Sequence, residues 1–193
     1  MVKKKLNRLG FFELYFVDPQ GLSRGLCFAW KEELNVSVIN AENFFLHCRI
    51  ANLQLNIEWD IIFLYASCDD VLRENQFNLL LNYKANVVDS CIIAGDFNSV
   101  FSIQEKYGGH DVAQAKIRIF HNFINQWGLI DMGFIGAPTT WNNIREGLAN
   151  IRERLDRSLA TSPWLLHFSM AMVMHLEDRG SNHRPILICT TPS

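Results

Sequence analysis

Between residues 11 and 67, short apolar runs alternate with turn residues, at 12–17, 26–30, 36–39, 44–50 and 61–65. Runs of this length predict consecutive strands with tight connections, the first turn being DPQG at 18–21. The pattern then changes. Asp69 and Asp70 are suited to cap a helix running to about 84, because a carboxylate accepts from the free N–H groups of a first turn. Leu72, Phe77 and Leu80 recur within it at nearly helical spacing. A strand follows at 91–94, and residues 100–111, with Gly108-Gly109, read as loop. Over 112–127, Ile119, Phe120, Phe123, Ile124 and Trp127 fall on one helical stripe, a core face. A short strand at 138–141, a short helix or turn over 150–159, and closing strands at 170–176 and 186–189 complete the reading. No repeat, low-complexity run or linker divides the chain, so the expectation is one domain over 1–193, with 1–8 frayed and Lys3, Lys4 and Lys5 solvated. A β-rich first half followed by mixed α and β predicts a single α+β sandwich, two sheets with helices outside.

Composition changes this picture little. At 193 residues, with 49% hydrophobic and 20% charged positions, the chain can bury a sizeable core, which excludes wholesale disorder. A net charge of -2 gives no global basic field, so any nucleic-acid contact depends on local Lys and Arg. Five cysteines lie far apart with no CxxC pair, and most sit in strand-like runs; reduced, buried thiols fit better than disulfides or a zinc site. Residues 1–5 are basic, but 6–10 is not the apolar core of a signal peptide, and no stretch approaches a membrane span. The expectation is an intracellular protein, nuclear or cytoplasmic, neither secreted nor membrane-bound.

Chemistry concentrates in two places. The run CIIAGDFNS at 91–99 ends in Asp96, Phe97 and Asn98, and in an extended segment Asp96 and Asn98 share a face while Phe97 turns inward. The segment DRGSNHRP at 178–185 places His183, a titratable partner, just before an apolar run. A carboxylate, an amide and an imidazole together suggest phosphodiester cleavage, which needs a positioned water and stabilisation of the phosphate oxygens. Asp156, within RERLDR at 152–157, reads from the residues alone as a turn with local ion pairs, and Tyr65 as ordinary packing at a strand end. His47, His110, His121, His167 and His175 show no ligand spacing.

With GDFN at 95–98, RLDR at 154–157 and SNHRP at 181–185 in that order, the chain resembles the endonuclease/exonuclease/phosphatase superfamily, above all the endonuclease domain of plant LINE-type retrotransposons. GLSRGL at 21–26 followed by Trp30, GLID at 128–131, PTTWN at 138–142 and Trp164 resemble that subfamily too, over about 9–188. The resemblance implies a four-layer α/β sandwich, two packed, mainly antiparallel sheets flanked by helices, with its site at one end. It also implies Mg²⁺-dependent phosphoester cleavage with DNA as partner. On it, Asp96 orients or deprotonates the attacking water, Asn98 holds the scissile phosphate, and His183 contacts the phosphate oxygens while Asp156 pairs with it. Tyr65 donates to a phosphate oxygen, and Thr140 and Ser181 join Asn98 as substrate contacts.

The chain departs from that family in two respects. The family's first strands, with a phosphate-side Asn and a metal-binding Glu, normally precede the region that starts here at Leu9, so an N-terminally truncated sandwich is expected. Asn182 stands where the family has a metal-site aspartate, and a neutral amide is the poorer ligand. Losing one member of a cooperating catalytic set costs on the order of 10³ to 10⁴ in rate. The metal ligands are therefore unassigned, and weak or absent nicking is expected, with self-association through an exposed sheet edge. Two alternatives stay open, a noncatalytic nucleic-acid-binding or interaction module and a phosphatase or phosphodiesterase acting on a small phosphate ester.

Overall fold

The computed structural model describes residues 2–18, 25–53 and 56–190. In chain order its elements are α1 (Val2–Arg8), β1 (Glu13–Val17), β2 (Leu26–Trp30), β3 (Asn35–Ala41), β4 (Phe45–Asn52), β5 (Ile57–Tyr65), α2 (Asp70–Tyr83) and β6 (Cys91–Asp96). They continue with β7 (Lys106–Tyr107), α3 (Gln114–Trp127), β8 (Leu129–Asp131), β9 (Ile135–Gly136), β10 (Trp141–Asn142) and β11 (Arg152–Glu153). The last are β12 (Asp156–Thr161), α4 (Ser162–His167), β13 (Met172–His175) and β14 (Ile186–Cys189).

The spine is a six-stranded sheet ordered β3-β4-β5-β6-β12-β8, antiparallel except where β5 and β6 run parallel. A parallel pair needs a long crossover, and α2 supplies it. Asp69 caps this helix as expected, its side chain accepting from Leu72 N–H at 2.9 Å. The central strands are apolar on both faces because both are covered. On one face Ile62, Leu64, Ile93 and Leu159 meet Phe77 and Leu80 of α2 and Phe120, Phe123 and Trp127 of α3. On the other, Ile61, Ile92 and Ala160 meet Trp164 of α4, Phe28 of β2 and Ile188 of β14. Neighbouring residues such as Ile92 and Ile93 thus serve opposite layers, as the two-residue period of a strand requires.

The second layer is in two pieces, a two-stranded sheet β1-β2 and a three-stranded sheet β14-β13-β9. A small sheet β10-β11-β7 sits at the site end. At the opposite end of the spine, Asp60 is fully buried and accepts from Arg49 at 2.8 and 3.0 Å and from Val88 N–H at 2.9 Å, with His47 Nε2 2.9 Å away. Burial opposes its ionisation, but these partners win and hold its pKa down at about 2.

Several expectations need correction. The terminus expected to fray is helical over Val2–Arg8, closed by Gly10 at φ 84 with Phe11 N–H on Leu6 carbonyl, the pattern of a Schellman cap. The helix or turn expected over 150–159 is β11 followed by β12, a central strand. Its Arg157 and Ser158 look solvent-facing in sequence, yet both are buried, because Arg157 is neutralised by Glu105 and Asp131 from distant segments. On α2 the inward stripe carries Arg73 rather than Leu72, which is exposed. Only Cys48 and Cys91 are buried; Cys27 and Cys68 are exposed. The turn expected at 18–21 and most of the 21–26 segment lie outside the described residues. No described helix is long and apolar enough to cross a membrane.

Candidate active site

Strand register brings three of the expected site residues into one row. In the pairing of β5 with β6, Tyr65 stands opposite Asp96, and in the pairing of β12 with β6, Asp156 stands opposite Asp96 from the other side. All three close the same edge of the spine. Gly95 makes this possible: it lies at φ 140, and a Cβ there would come within 2.0 Å of the Leu64 carbonyl oxygen. The turn after β6 is then fixed by Asn98, whose φ of 46 is one that Asn tolerates. Asn98 N–H donates to Asp96 Oδ1 at 2.9 Å, and its amide Nδ2 donates to Asp96 Oδ2 at 3.1 Å and to the Ala66 carbonyl at 2.8 Å. Both amide hydrogens are thereby committed to protein acceptors, and the amide Oδ1 accepts from the Cys68 thiol at 3.5 Å.

His183 arrives from the loop before β14. Its backbone bridges Trp141, and its N–H donates to Ser181 Oγ at 3.1 Å. Its Nδ1 lies 3.0 Å from Asp156 Oδ2 and its Nε2 3.9 Å from Asp96 Oδ2, so the imidazole stands between the two carboxylates. An ionised carboxylate only accepts, which makes Nδ1 the donor to Asp156. Asp156 is held in turn by the residues beside it. Arg154 and Arg157, both buried, each engage the half-buried Glu105 and Asp131, a four-charge cluster that pins the RLDR segment.

These side chains open on a groove of about 950 Å³ lined also by Cys68, Asp70, Arg73, Lys106, Lys116 and Trp141. Five carboxylates line it, Asp70, Asp96, Asp111, Glu153 and Asp156, against three fixed cations. Lys116 and Arg73 are already paired with Asp70, and Lys106 with Glu153. The lining is thus acidic. Asp96 feels this directly: burial, then the charge of Asp156, push its pKa up to about 6, against the opposing pull of the Asn98 N–H.

Asp96, Asp156 and His183 are the group among the described residues that could hold a cation, with ligand atoms all within 4.8 Å of one another. The donor set does not fit Mg²⁺. That ion takes oxygen ligands in a near-ideal octahedron, whereas here one of the three donor groups is an imidazole, which offers nitrogen. Both oxygens of Asp96 are engaged by Asn98, and position 182 contributes an exposed neutral amide rather than a carboxylate.

Of the expected site residues, Tyr65, Asp96, Asn98, Asp156, Ser181 and His183 meet at the groove. Thr140 does not line it. It is 1% exposed, its hydroxyl accepting from the backbone N–H groups of Leu155 and Asp156 at 3.0 and 2.9 Å. Sequence reasoning missed Arg73, Lys106 and Lys116 in the groove wall and the Glu105 and Asp131 anchors. The anchors left no local signal, because Glu105 and Asp131 lie far along the chain from the arginines they hold while RERLDR carries acids of its own.

No family model matches the chain, and no curated protein matches it significantly. Solved structures do. The endonuclease domain of TRAS1, a telomere-specific non-LTR retrotransposon, matches with a TM-score of 0.72 at 16% identity, covering 91% of this chain and 78% of that one. The 3′ phosphatase NExo from Neisseria, bound to a product DNA hairpin, matches with a TM-score of 0.69 at 13% identity, covering 96% and 81%. The catalytic domain of human Nocturnin, with a bound sulfate, matches with a TM-score of 0.58 at 16% identity, covering 98% and 76%. At such identities the likeness is one of fold, and the fold is that of endonuclease/exonuclease/phosphatase proteins.

Proposed function

We propose that this chain is a phosphodiester-cleaving domain of the retrotransposon-endonuclease type, with DNA as substrate class, whose own site leaves it weakly active or inactive. The observation that carries the reading is the line Asp156, His183, Asp96 across the groove, with spacings of 3.0 and 3.9 Å. In this reading His183, oriented by Asp156, faces the phosphate oxygens as charge builds on them. Asp96, with a pKa near 6, is ionised at neutral pH and better matched to accepting a proton from water than an ordinary carboxylate. Asn98 orients Asp96 through its backbone N–H and its amide Nδ2.

Impairment rests on the same groove. Five carboxylates against three already-paired cations repel a phosphate backbone unless a metal neutralises them, and the oxygen set for Mg²⁺ is incomplete. That shortage also favours a second reading, a noncatalytic nucleic-acid-binding module, which would bind DNA without metal and lose affinity steeply as salt rises.

The deciding experiment is nicking of supercoiled plasmid by the folded 193-residue chain in Mg²⁺, Mn²⁺ and EDTA, beside Asp96→Ala. Slow metal-dependent nicking that disappears in the variant is the expected result. Rapid nicking would overturn the impairment, and DNA binding with no cleavage in any metal would move the assignment to the binding module. A chain that neither nicks nor binds would overturn DNA as the substrate class.

A further inference from the structure

Thr140 uses every polar group it has while remaining out of contact with the groove. Its Oγ1 accepts from the N–H groups of Leu155 and Asp156, its N–H donates to the Glu153 carbonyl at 2.9 Å, and its carbonyl accepts from Arg184 N–H at 2.7 Å. The first three bonds enter the segment that delivers Asp156. The fourth enters the segment that delivers His183. The contact continues along β10, where Trp141 bridges His183 and Asn142 N–H donates to the Asn182 carbonyl at 2.9 Å.

The hydroxyl answers a specific need of the backbone. Between β11 and β12 the chain leaves one sheet and enters another, so the N–H groups of Leu155 and Asp156 fall at a break between ladders. A buried N–H without an acceptor is costly, and a hydroxyl with two lone pairs can serve both. A valine has the same shape and no lone pair.

We infer that Thr140 is a positioning residue that locks Asp156 against His183, and that its side chain makes no contact with substrate. What the locked pair is for rests on the function proposed above; the lock itself does not. Threonine at this position is thereby separated from the substrate-contact role that the family resemblance implies for it.

The test uses the full chain and the ring proton shared between His183 Nδ1 and Asp156, read by NMR as a slowly exchanging low-field resonance and assigned by its loss in Asp156→Asn. The resonance is expected to survive in Thr140→Ser, which keeps the hydroxyl, and to vanish or move upfield in folded Thr140→Val. DNA affinity is expected to be equal in the two variants. A resonance unchanged in folded Thr140→Val would overturn the inference, as would lost DNA affinity with the resonance intact, the mark of a substrate contact. Should Thr140→Val not fold, amide exchange in the unaltered chain decides. Slow exchange at both Leu155 and Asp156 supports the lock, and fast exchange at either overturns it. None of these readouts requires cleavage, so a failed plasmid assay and a failed lock are told apart.

Discussion

Asp156 stands opposite Asp96 in the register of β12 on β6, and the imidazole of His183 stands between them, 3.0 Å from one carboxylate and 3.9 Å from the other. Burial at the edge of the sheet, and then the like charge of Asp156, disfavour ionisation of Asp96. Asp96 therefore holds its proton to about pH 6, against 3.8 for the unperturbed group. The tension is built by strand register, so it is a property of the fold as well as of the chemistry.

This shift sets a pH dependence of stability. Between about pH 4 and 6 the native chain binds a proton at Asp96 that the unfolded chain has released, so stability falls as pH rises through that window. A shift of about two units corresponds to roughly 3 kcal/mol. Asp96→Asn removes the effect, so urea denaturation should show the variant gaining on the unaltered chain from pH 4 to 6 and holding a constant difference above. A difference that is flat across this window would mean that Asp96 titrates normally.

Legibility in the sequence followed the range of the interaction. The Asp69 cap is a contact across three residues and the apolar run of β6 is local, so both were readable. Strand β12 was not, because Arg157 becomes a core residue through Glu105, 52 positions earlier, and Asp131, 26 earlier. At the site, Asp96, Asp156 and His183, named from three separate motifs, have ligand atoms within 4.8 Å of one another; the motifs left the rest unread. They said nothing of where Thr140 points or which acceptors take the Asn98 amide, since each depends on backbone groups, the Asp156 N–H and the Ala66 carbonyl, that sequence does not show.

Gly95 carries the next prediction. In the parallel pair it faces the Leu64 backbone, where a Cβ would stand 2.0 Å from a carbonyl oxygen, at a φ of 140 that only glycine adopts readily. Backbone has no way to yield as a flexible side chain does. Gly95→Ala should cost several kcal/mol, about 3 or more, by strain and by forcing β5 from β6. The check is a thermal melt beside Gly133→Ala, where a Cβ meets nothing within 4 Å and the cost is that of the positive φ alone. Equal melting points for the two would remove the close approach as a cause.

Asn182 carries a prediction of opposite sign for two measurements. Asn182→Asp adds a carboxylate to a groove that already holds five, so without metal the affinity for DNA should fall, most visibly at low salt. With Mg²⁺ or Mn²⁺ present the added oxygen donor should raise the nicking rate roughly tenfold or more, because a cation then neutralises the charge that builds on the phosphate. If affinity falls and no metal restores cleavage in the folded variant, position 182 is not what limits the site.

The open edge of β14 gives the last. In the order β14-β13-β9 it has a partner on one side only among the described residues, and Leu187 on it is 42% exposed. An unpaired, apolar, four-residue edge offers backbone N–H and carbonyl groups to a second copy of the chain. A lysine there should block that approach by charge and by bulk while costing the fold about 0.5 kcal/mol or less. Sedimentation velocity at tens of micromolar should show association of the unaltered chain and a monomer for Leu187→Lys. Persistent association of the variant would shift attention to the other open edges among the described strands, β9 at the far side of the same sheet and the two strands of β1-β2.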